Sequence, residues 1–280
     1  IIADPAIEPK SIFISAFATA PLAAVPEFVF KDEIEDIQTG VNALAKLTNG
    51  GVNFSLSSEN YSGTPLHKIE NVIQHVFSGK HPAGNVGVQI SHISPIMKGD
   101  TVWTVSLLLV AAIGKLFNTG KYDMTRKVAV TGPKAIDPSY VDALPGIAMK
   151  DLKEFYDNSA NDLRFISGDV LTGESVGENG FLGFFDNQVT FLHEGTEREV
   201  LGWAKPFRCK KFSSSHTYFS WLTPKKTYDM DTNFNGGPRA FVMSDVYSKV
   251  LPMDIYPVYL AKACLAGDID KMEKFGIYEV

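Results

Sequence analysis

The strongest constraint on this chain's fold is a rhythm in residues 1–125. Short β-rich runs alternate there with segments whose apolar residues recur every three or four positions. Residues 11–17 (SIFISAF) form one such run, followed by a loop holding Pro21 and Pro26. In residues 31–47, Ile34, Ile37, Val41, Leu44 and Leu47 recur at helical spacing, which predicts an amphipathic helix. Asp32 and Glu33 lie in its first turn, where the helix dipole favours negative charge, and Asn49-Gly50-Gly51 ends it. Residues 52–56 read as a second strand and 66–77 as a second helix, on Ile69, Val72, Ile73 and Val76. Residues 85–93 (NVGVQISHI) read as a third strand after the loop His81-Pro82-Ala83-Gly84, and 104–117 as a third helix. Strands alternating with helices of this length predict a parallel sheet flanked by helices. The expected fold class is α/β and doubly wound.

From Arg126 the pattern changes. Residues 127–131 (KVAVT) predict a strand, followed by Gly132-Pro133, Asp137-Pro138 and a strand at 140–143. The turn Pro145-Gly146 leads to a short helix at 149–156, and the strand at 164–167 opens a string (FISGDV) that echoes VAVTG at 128–132. Short strands, one small helix and frequent turns predict a compact β-grasp-like module over residues 126–204. Residues 205–280 are less regular, with helices expected at 245–251 and, entered through Pro257, at 259–266. There a helical region begins.

Composition narrows the function. A formal net charge of −6 with no sustained Lys/Arg run argues against nucleic acid or an anionic lipid surface as partner. The two cysteines, Cys209 and Cys264, form no CxxC, so a metal cluster or disulfide framework is not expected. The most apolar stretch, residues 102–113, falls short of the ~20 residues a spanning helix needs, so a soluble chain is expected. The sequence begins at Ile1 rather than Met, which points to a piece of a longer protein.

The first strand-to-helix loop reads ATAPLAA from Ala18 to Ala24, without a glycine. A dinucleotide fingerprint needs glycines for a tight turn and for backbone approach to the pyrophosphate. No P-loop and no GxSxG is present, neither cysteine has an activating context, and no carboxylate pair stands out, so no catalytic residue is assigned. Asp231-Thr232-Asn233-Phe234-Asn235-Gly236 resembles half a calcium loop, but its twelfth position is Val242 where a bidentate Glu is required. It reads as a polar turn, and no metal ligand is assigned. The most unusual string is KHPAGNVG at 80–87. It offers two readings. One is a ligand loop at the carboxyl end of the sheet, where such folds bind ligands; the other is a structural turn with His81 bonded to backbone. His92 reads as a strand histidine without a ligand role.

Several strings together resemble one family: FISAFATAPLAA (13–24), HPAGNVG (81–87), AIGKLFNTG (112–120), VAVTGP (128–133), ISGDVLTG (166–173), TNFNGGPRAFV (232–242) and LPMDIYP (251–257). In this order and spacing the chain resembles, from end to end, the A subunits of the bacterial sodium-translocating NADH:quinone oxidoreductases. The resemblance implies a Rossmann-like domain followed by a β-grasp domain of the soluble-ligand-binding type, and further sequence at both ends. It implies a peripheral subunit on the cytoplasmic side of the bacterial inner membrane. Its partners would be the other subunits of the complex, which carry the flavins and iron–sulfur centres. No cofactor is expected in this chain, and ubiquinone is a candidate ligand. On that reading the candidate quinone-binding residues are Thr19, Pro21 and Leu22 of the first-strand loop and His81, Pro82, Gly84 and Gly87 of the HPAG loop. Where proteobacterial members follow HPAG with a His-rich strand, this chain has Gly87-Val88-Gln89-Ile90-Ser91-His92, so roles of those histidines do not transfer. Two alternatives stay open: a flavin- and NADH-binding dehydrogenase subunit like that of complex I, and a scaffold whose β-grasp module binds a soluble ligand such as a cobalamin.

Overall fold

The β-branched and aromatic runs of the first part assemble into a four-stranded sheet of order β3-β2-β1-β4. Its strands are β1 (Ile12–Ala16), β2 (Val52–Ser57), β3 (Ile73–Phe77) and β4 (Trp103–Thr104), every pair parallel. The computed structural model describes residues 3–59, 63–157, 162–196, 202, 211–213, 219–233, 240–242 and 246–280. Its contacts divide the chain into two compact units, Ile1–Arg126 with Val242–Val280, and Lys127–Phe241.

Parallel strands need crossover connections, and these supply the helices of the first unit. A short α1 (Pro26–Val29) precedes α2 (Ile34–Leu44), which buries Ile37, Val41 and Leu44 as its spacing predicts. After β4 comes α4 (Leu107–Thr119). The Ser106 hydroxyl caps its start by accepting the Leu109 N–H, and Gly120 closes it in the left-handed conformation. Helices α2 and α4 cross closely because each has a glycine at the contact: a Cβ on Gly40 would lie 2.1 Å from Val110 O, and one on Gly114 1.6 Å from Asp36 O. Strand β2 is buried at every position, as a central parallel strand should be.

Two expectations are corrected here. Residues 66–77 are not a helix but a 3-10 turn at Pro65–Lys68 followed by β3. Asn71 takes a left-handed φ of 59° between them, which no continuous helix allows. The apolar spacing misled because Ile73 and Val76 are about half exposed on an edge strand. Conversely, residues 85–93 are not a strand but α3 (Val86–Ile93), which buries Val88, Gln89 and Ile90. Valine and isoleucine favour strands only weakly, and tertiary packing overrides them. His92 therefore sits on a helix, and its Nε2–H donates to Pro252 O at 2.7 Å.

The C-terminal helices α5 (Pro257–Ala266) and α6 (Ile269–Lys274) belong to the first unit. Tyr256, Tyr259 and Phe275 stack around their junction at centroid distances of 5.5–6.3 Å. The helix expected at 245–251 is a set of turns over 246–250, and residue 245 lies outside the described residues.

The second unit is a mixed five-stranded sheet of order β6-β5-β9-β7-β8. Its strands are β5 (Arg126–Thr131), β6 (Ser139–Ala143), β7 (Leu163–Ser167), β8 (Glu174–Ser175) and β9 (Gln188–His193). The first and last strands lie side by side and parallel in the middle, and β7 runs antiparallel to both β9 and β8. That order is the β-grasp arrangement. In place of the helix expected at 149–156 stands a 3-10 turn, Met149–Leu152, followed by Tyr156. Met149, Leu152 and Tyr156 pack with Val128, Val130, Phe165, Val189 and Phe191 into one core. The rings of Tyr156, Phe165 and Phe191 meet at 4.9–5.5 Å, edge-on or tilted as ring quadrupoles favour.

Candidate functional site

Because β1 and β3 are parallel, their carboxyl ends emerge on the same edge of the sheet, where such folds bind ligands. The loop after β3 reaches the loop after β1. The Thr19 hydroxyl accepts the Gly84 N–H at 2.9 Å and pairs with His81 Nδ1 at 3.2 Å. Gly84 is required at this junction. A Cβ there would lie 2.6 Å from Thr19 Oγ1 and 2.8 Å from both Phe17 O and Thr19 N. Pro82 follows a cis peptide bond, and its carbonyl accepts the Asn85 N–H at 2.8 Å.

The remaining candidates are placed differently. Pro21 and Leu22 form the apex of a separate β-turn closed by Ala23 N–H to Ala20 O at 3.1 Å. Proline suits the second position of such a turn, but the third takes φ near +60 to +80° and favours glycine or asparagine. Leu22 occupies it with φ 58° and is 57% exposed. Gly87 sits in the first turn of α3, with open space where a Cβ would stand. It lines a pocket of about 210 Å³ whose walls are Val86, Ile90, Ile96, Val102 and Val280 together with the polar Ser91, Thr104 and Glu279.

One residue of the junction escapes sequence reasoning. Gln89, 1% exposed, donates through Nε2 to the carbonyls of Ala83 and Gly84, each at 3.3 Å, and so ties the HPAG loop to α3. Its Oε1 is buried without a hydrogen-bond partner. The available signal was a lone amide inside the apolar run VGVQISHI.

Other polar groups have structural partners. His75 on β3 donates from Nε2 to Asn53 Oδ1 at 2.9 Å, and burial pushes its pKa below the ordinary value. Arg164 grips Glu194 with two hydrogen bonds of 2.7 and 2.6 Å, holding that carboxyl below the usual range. Asp231 accepts the Asn233 N–H at 3.0 Å and pairs with Lys211 at 2.9 Å, while residues 234–239 of the calcium-like string lie outside the described residues. Among the described residues, no three His, Cys, Asp or Glu side chains gather as a metal cluster. Among them too, no helix is long and apolar enough to cross a membrane.

Comparison with known proteins points to one family. Residues 1–122 match the family described as "NqrA second alpha/beta domain". The chain is 37% identical over 99% of its length to the A subunit of the Na(+)-translocating NADH-quinone reductase of Rhodopirellula baltica, covering 60% of that protein. The same-named proteins of Hahella chejuensis and Vibrio parahaemolyticus are 36% and 35% identical over 99% of the chain, with 62% and 61% of them covered. Residues 1–122 thus match the NqrA second domain, and the chain as a whole is similar to NqrA subunits. It spans about three fifths of the length of these curated relatives. Among solved structures, an NAD+-reducing NiFe hydrogenase in the H2-reduced state aligns at TM-score 0.49 and 13% identity, covering 68% of this chain and 41% of that one. Likeness at that level assigns nothing to this chain.

Proposed function

We propose that this chain is part of the NqrA subunit of a sodium-translocating NADH:quinone reductase. It acts as a peripheral subunit on the cytoplasmic side of the inner membrane. It holds no flavin or iron–sulfur centre of its own and supports electron transfer from NADH to ubiquinone coupled to Na+ export. The carrying observation is 35–37% identity to proteins of that name along 99% of the chain. The glycine-free loop after β1 supports a part without a dinucleotide of its own.

Within this subunit, the junction of Thr19, His81 and Gly84, with Leu22 and Gly87 beside it in sequence, contributes to quinone binding. A quinone headgroup needs an apolar surface and a few polar groups aimed at its carbonyl oxygens. Gly87 lines a pocket with largely apolar walls. Outside that lining, the His81 imidazole, six residues back along the HPAG loop, and the Thr19 hydroxyl, on the loop bonded to it, offer polar groups. Two measurements test this reading. Tagged full-length NqrA is recovered from solubilised membranes, where membrane subunits bearing flavin should co-purify; a colourless monomer overturns the assembly. A photoreactive ubiquinone analogue is then applied to the assembled complex. Labelling of peptides spanning 19–22 or 81–87 is expected, and labelling of NqrA only elsewhere overturns the quinone site.

A further inference from the structure

Two neighbouring turns in the second unit carry apolar side chains where turns ordinarily carry Gly, Pro, Asn, Asp or Ser. In the first, residues 183–186, the Asp186 N–H closes on Gly183 O at 3.2 Å, which puts Phe184 and Phe185 at the two apex positions. They are 45% and 69% exposed, with rings edge-to-face at 5.1 Å. In the second, a five-residue turn, the Gly173 N–H closes on Asp169 O at 2.9 Å and encloses Val170, Leu171 and Thr172. Leu171 is 54% exposed.

Both turns are built to be rigid, and they are joined at their bases. The buried Ser167 hydroxyl accepts the Gly183 N–H at 2.8 Å and donates to the Asp186 carboxylate. The next residue, Gly168, opens the second turn, and a Cβ on it would lie 3.5 Å from Asp186 Oδ1. The Asp169 carboxylate in turn holds the N–H groups of Leu171 and Thr172 at 2.7 and 3.0 Å and the Thr172 hydroxyl at 2.7 Å. Single exposed apolar residues need no explanation. Paired phenylalanines on a preorganised turn have the aromatic character enriched at protein interfaces, and rigidity lowers the entropic cost of docking.

Charge decides the partner. Residues 165–190 contain Asp169, Glu174, Glu178 and Asp186 and not one Lys, Arg or His; Glu174 and Glu178 are exposed. Asp169 and Asp186 are engaged within the turns, so the exposed charge between the turns is that of Glu174 and Glu178, which the anionic cytoplasmic leaflet repels while it attracts basic segments. We propose that the turns at 169–173 and 183–186 form a docking surface that inserts Phe184, Phe185 and Leu171 into an apolar groove, rimmed by Lys or Arg, on a partner protein of the assembly. The inference rests on the reading of the chain as one subunit of a complex.

The test uses full-length NqrA, tagged and expressed with its complex. Wild type, F184S/F185S and E174Q/E178Q are recovered from solubilised membranes, and partner subunits are quantified per tag. The serine pair should lower recovery at least about tenfold, as expected for a hot-spot loss, with the thermal unfolding of the isolated protein unchanged. A zero-length carbodiimide crosslink should join the wild type, through Glu174 or Glu178, to lysines of one partner subunit and vanish in E174Q/E178Q. Full recovery by the folded serine pair overturns the docking surface alone. Failure of the wild type to recover any partner overturns the assembly reading itself. If the isolated wild type binds phosphatidylcholine vesicles and the serine pair does not, the surface meets lipid and the protein partner is wrong.

Discussion

Gly84 donates its N–H to Thr19 Oγ1 at 2.9 Å, and a Cβ on residue 84 would stand only 2.6 Å from that same oxygen. The hydrogen bond that joins the two loops therefore exists only while residue 84 is glycine. Gly84→Ala must push the loops apart, at a cost of about 1–3 kcal/mol for overpacking. Thr19→Val keeps the shape but leaves the amide without its acceptor, also about 1–3 kcal/mol if the group stays dry. Thr19→Ser should recover most of that loss. Urea unfolding of the purified chain checks all three; wild-type stability in Gly84→Ala would mean that the loops do not meet as described.

Leu22 separates stability from function. A non-glycine residue held left-handed costs on the order of 1 kcal/mol or more, while glycine's extra freedom in the unfolded chain costs about 0.4–1 kcal/mol. Leu22 is 57% exposed with φ 58°, so little packing is lost on its removal. Leu22→Gly should leave stability unchanged or slightly higher. If Leu22 contacts quinone, the same variant raises the KM for ubiquinone in the assembled complex. A destabilised variant would show instead that the leucine is buried in solution.

How far the fold can be read from the chain depends on which physical signal each segment carries. Helix α2 was legible because Ile37, Val41 and Leu44 face one core. Strand β3 was misread because it lies at the sheet edge, where Ile73 and Val76 are half exposed and burial no longer enforces alternation. Helix α3 was misread because its apolar run resembles a strand, whereas Gln89 ties its first turns to the HPAG loop five and six residues back, and that loop is anchored by the Thr19–Gly84 bond across 65 residues. Strand β9 was missed, although QVTFLH lies between turn residues Asp186-Asn187 and Glu194-Gly195. The two loops of the candidate site were identifiable by their position at strand ends. Their contact was not, since nothing local records that Thr19 meets residues 62 and 65 places onward.

The crossing of α2 and α4 should be intolerant of one methyl group. Alanine in place of glycine inside a helix ordinarily gains about 1 kcal/mol. At Gly114 the added Cβ would fall 1.6 Å from the Asp36 carbonyl oxygen, which is backbone and cannot rotate away. Gly114→Ala should therefore destabilise by about 2 kcal/mol or more despite the better propensity, and Gly40→Ala should do the same through Val110. A rise in thermal midpoint for either variant would refute the close crossing.

His75 should give the first unit a stability loss on mild acidification. Burial lowers its folded-state pKa below the ordinary 6.5, because desolvation disfavours the imidazolium. Well above pH 6.5 both folded and unfolded chains hold a neutral ring, and the full stability is present. As pH falls below 6.5 the unfolded chain takes up its proton first and is stabilised relative to the folded one. The loss grows until pH passes through the lower folded-state value, then levels off. His75→Gln retains an N–H donor for Asn53 Oδ1 and does not titrate. Its unfolding free energy, measured by urea denaturation from pH 7.5 to 5, should decline less steeply than that of the wild type. Parallel profiles for the two proteins would show that the imidazole titrates in the folded unit as it does in the unfolded chain.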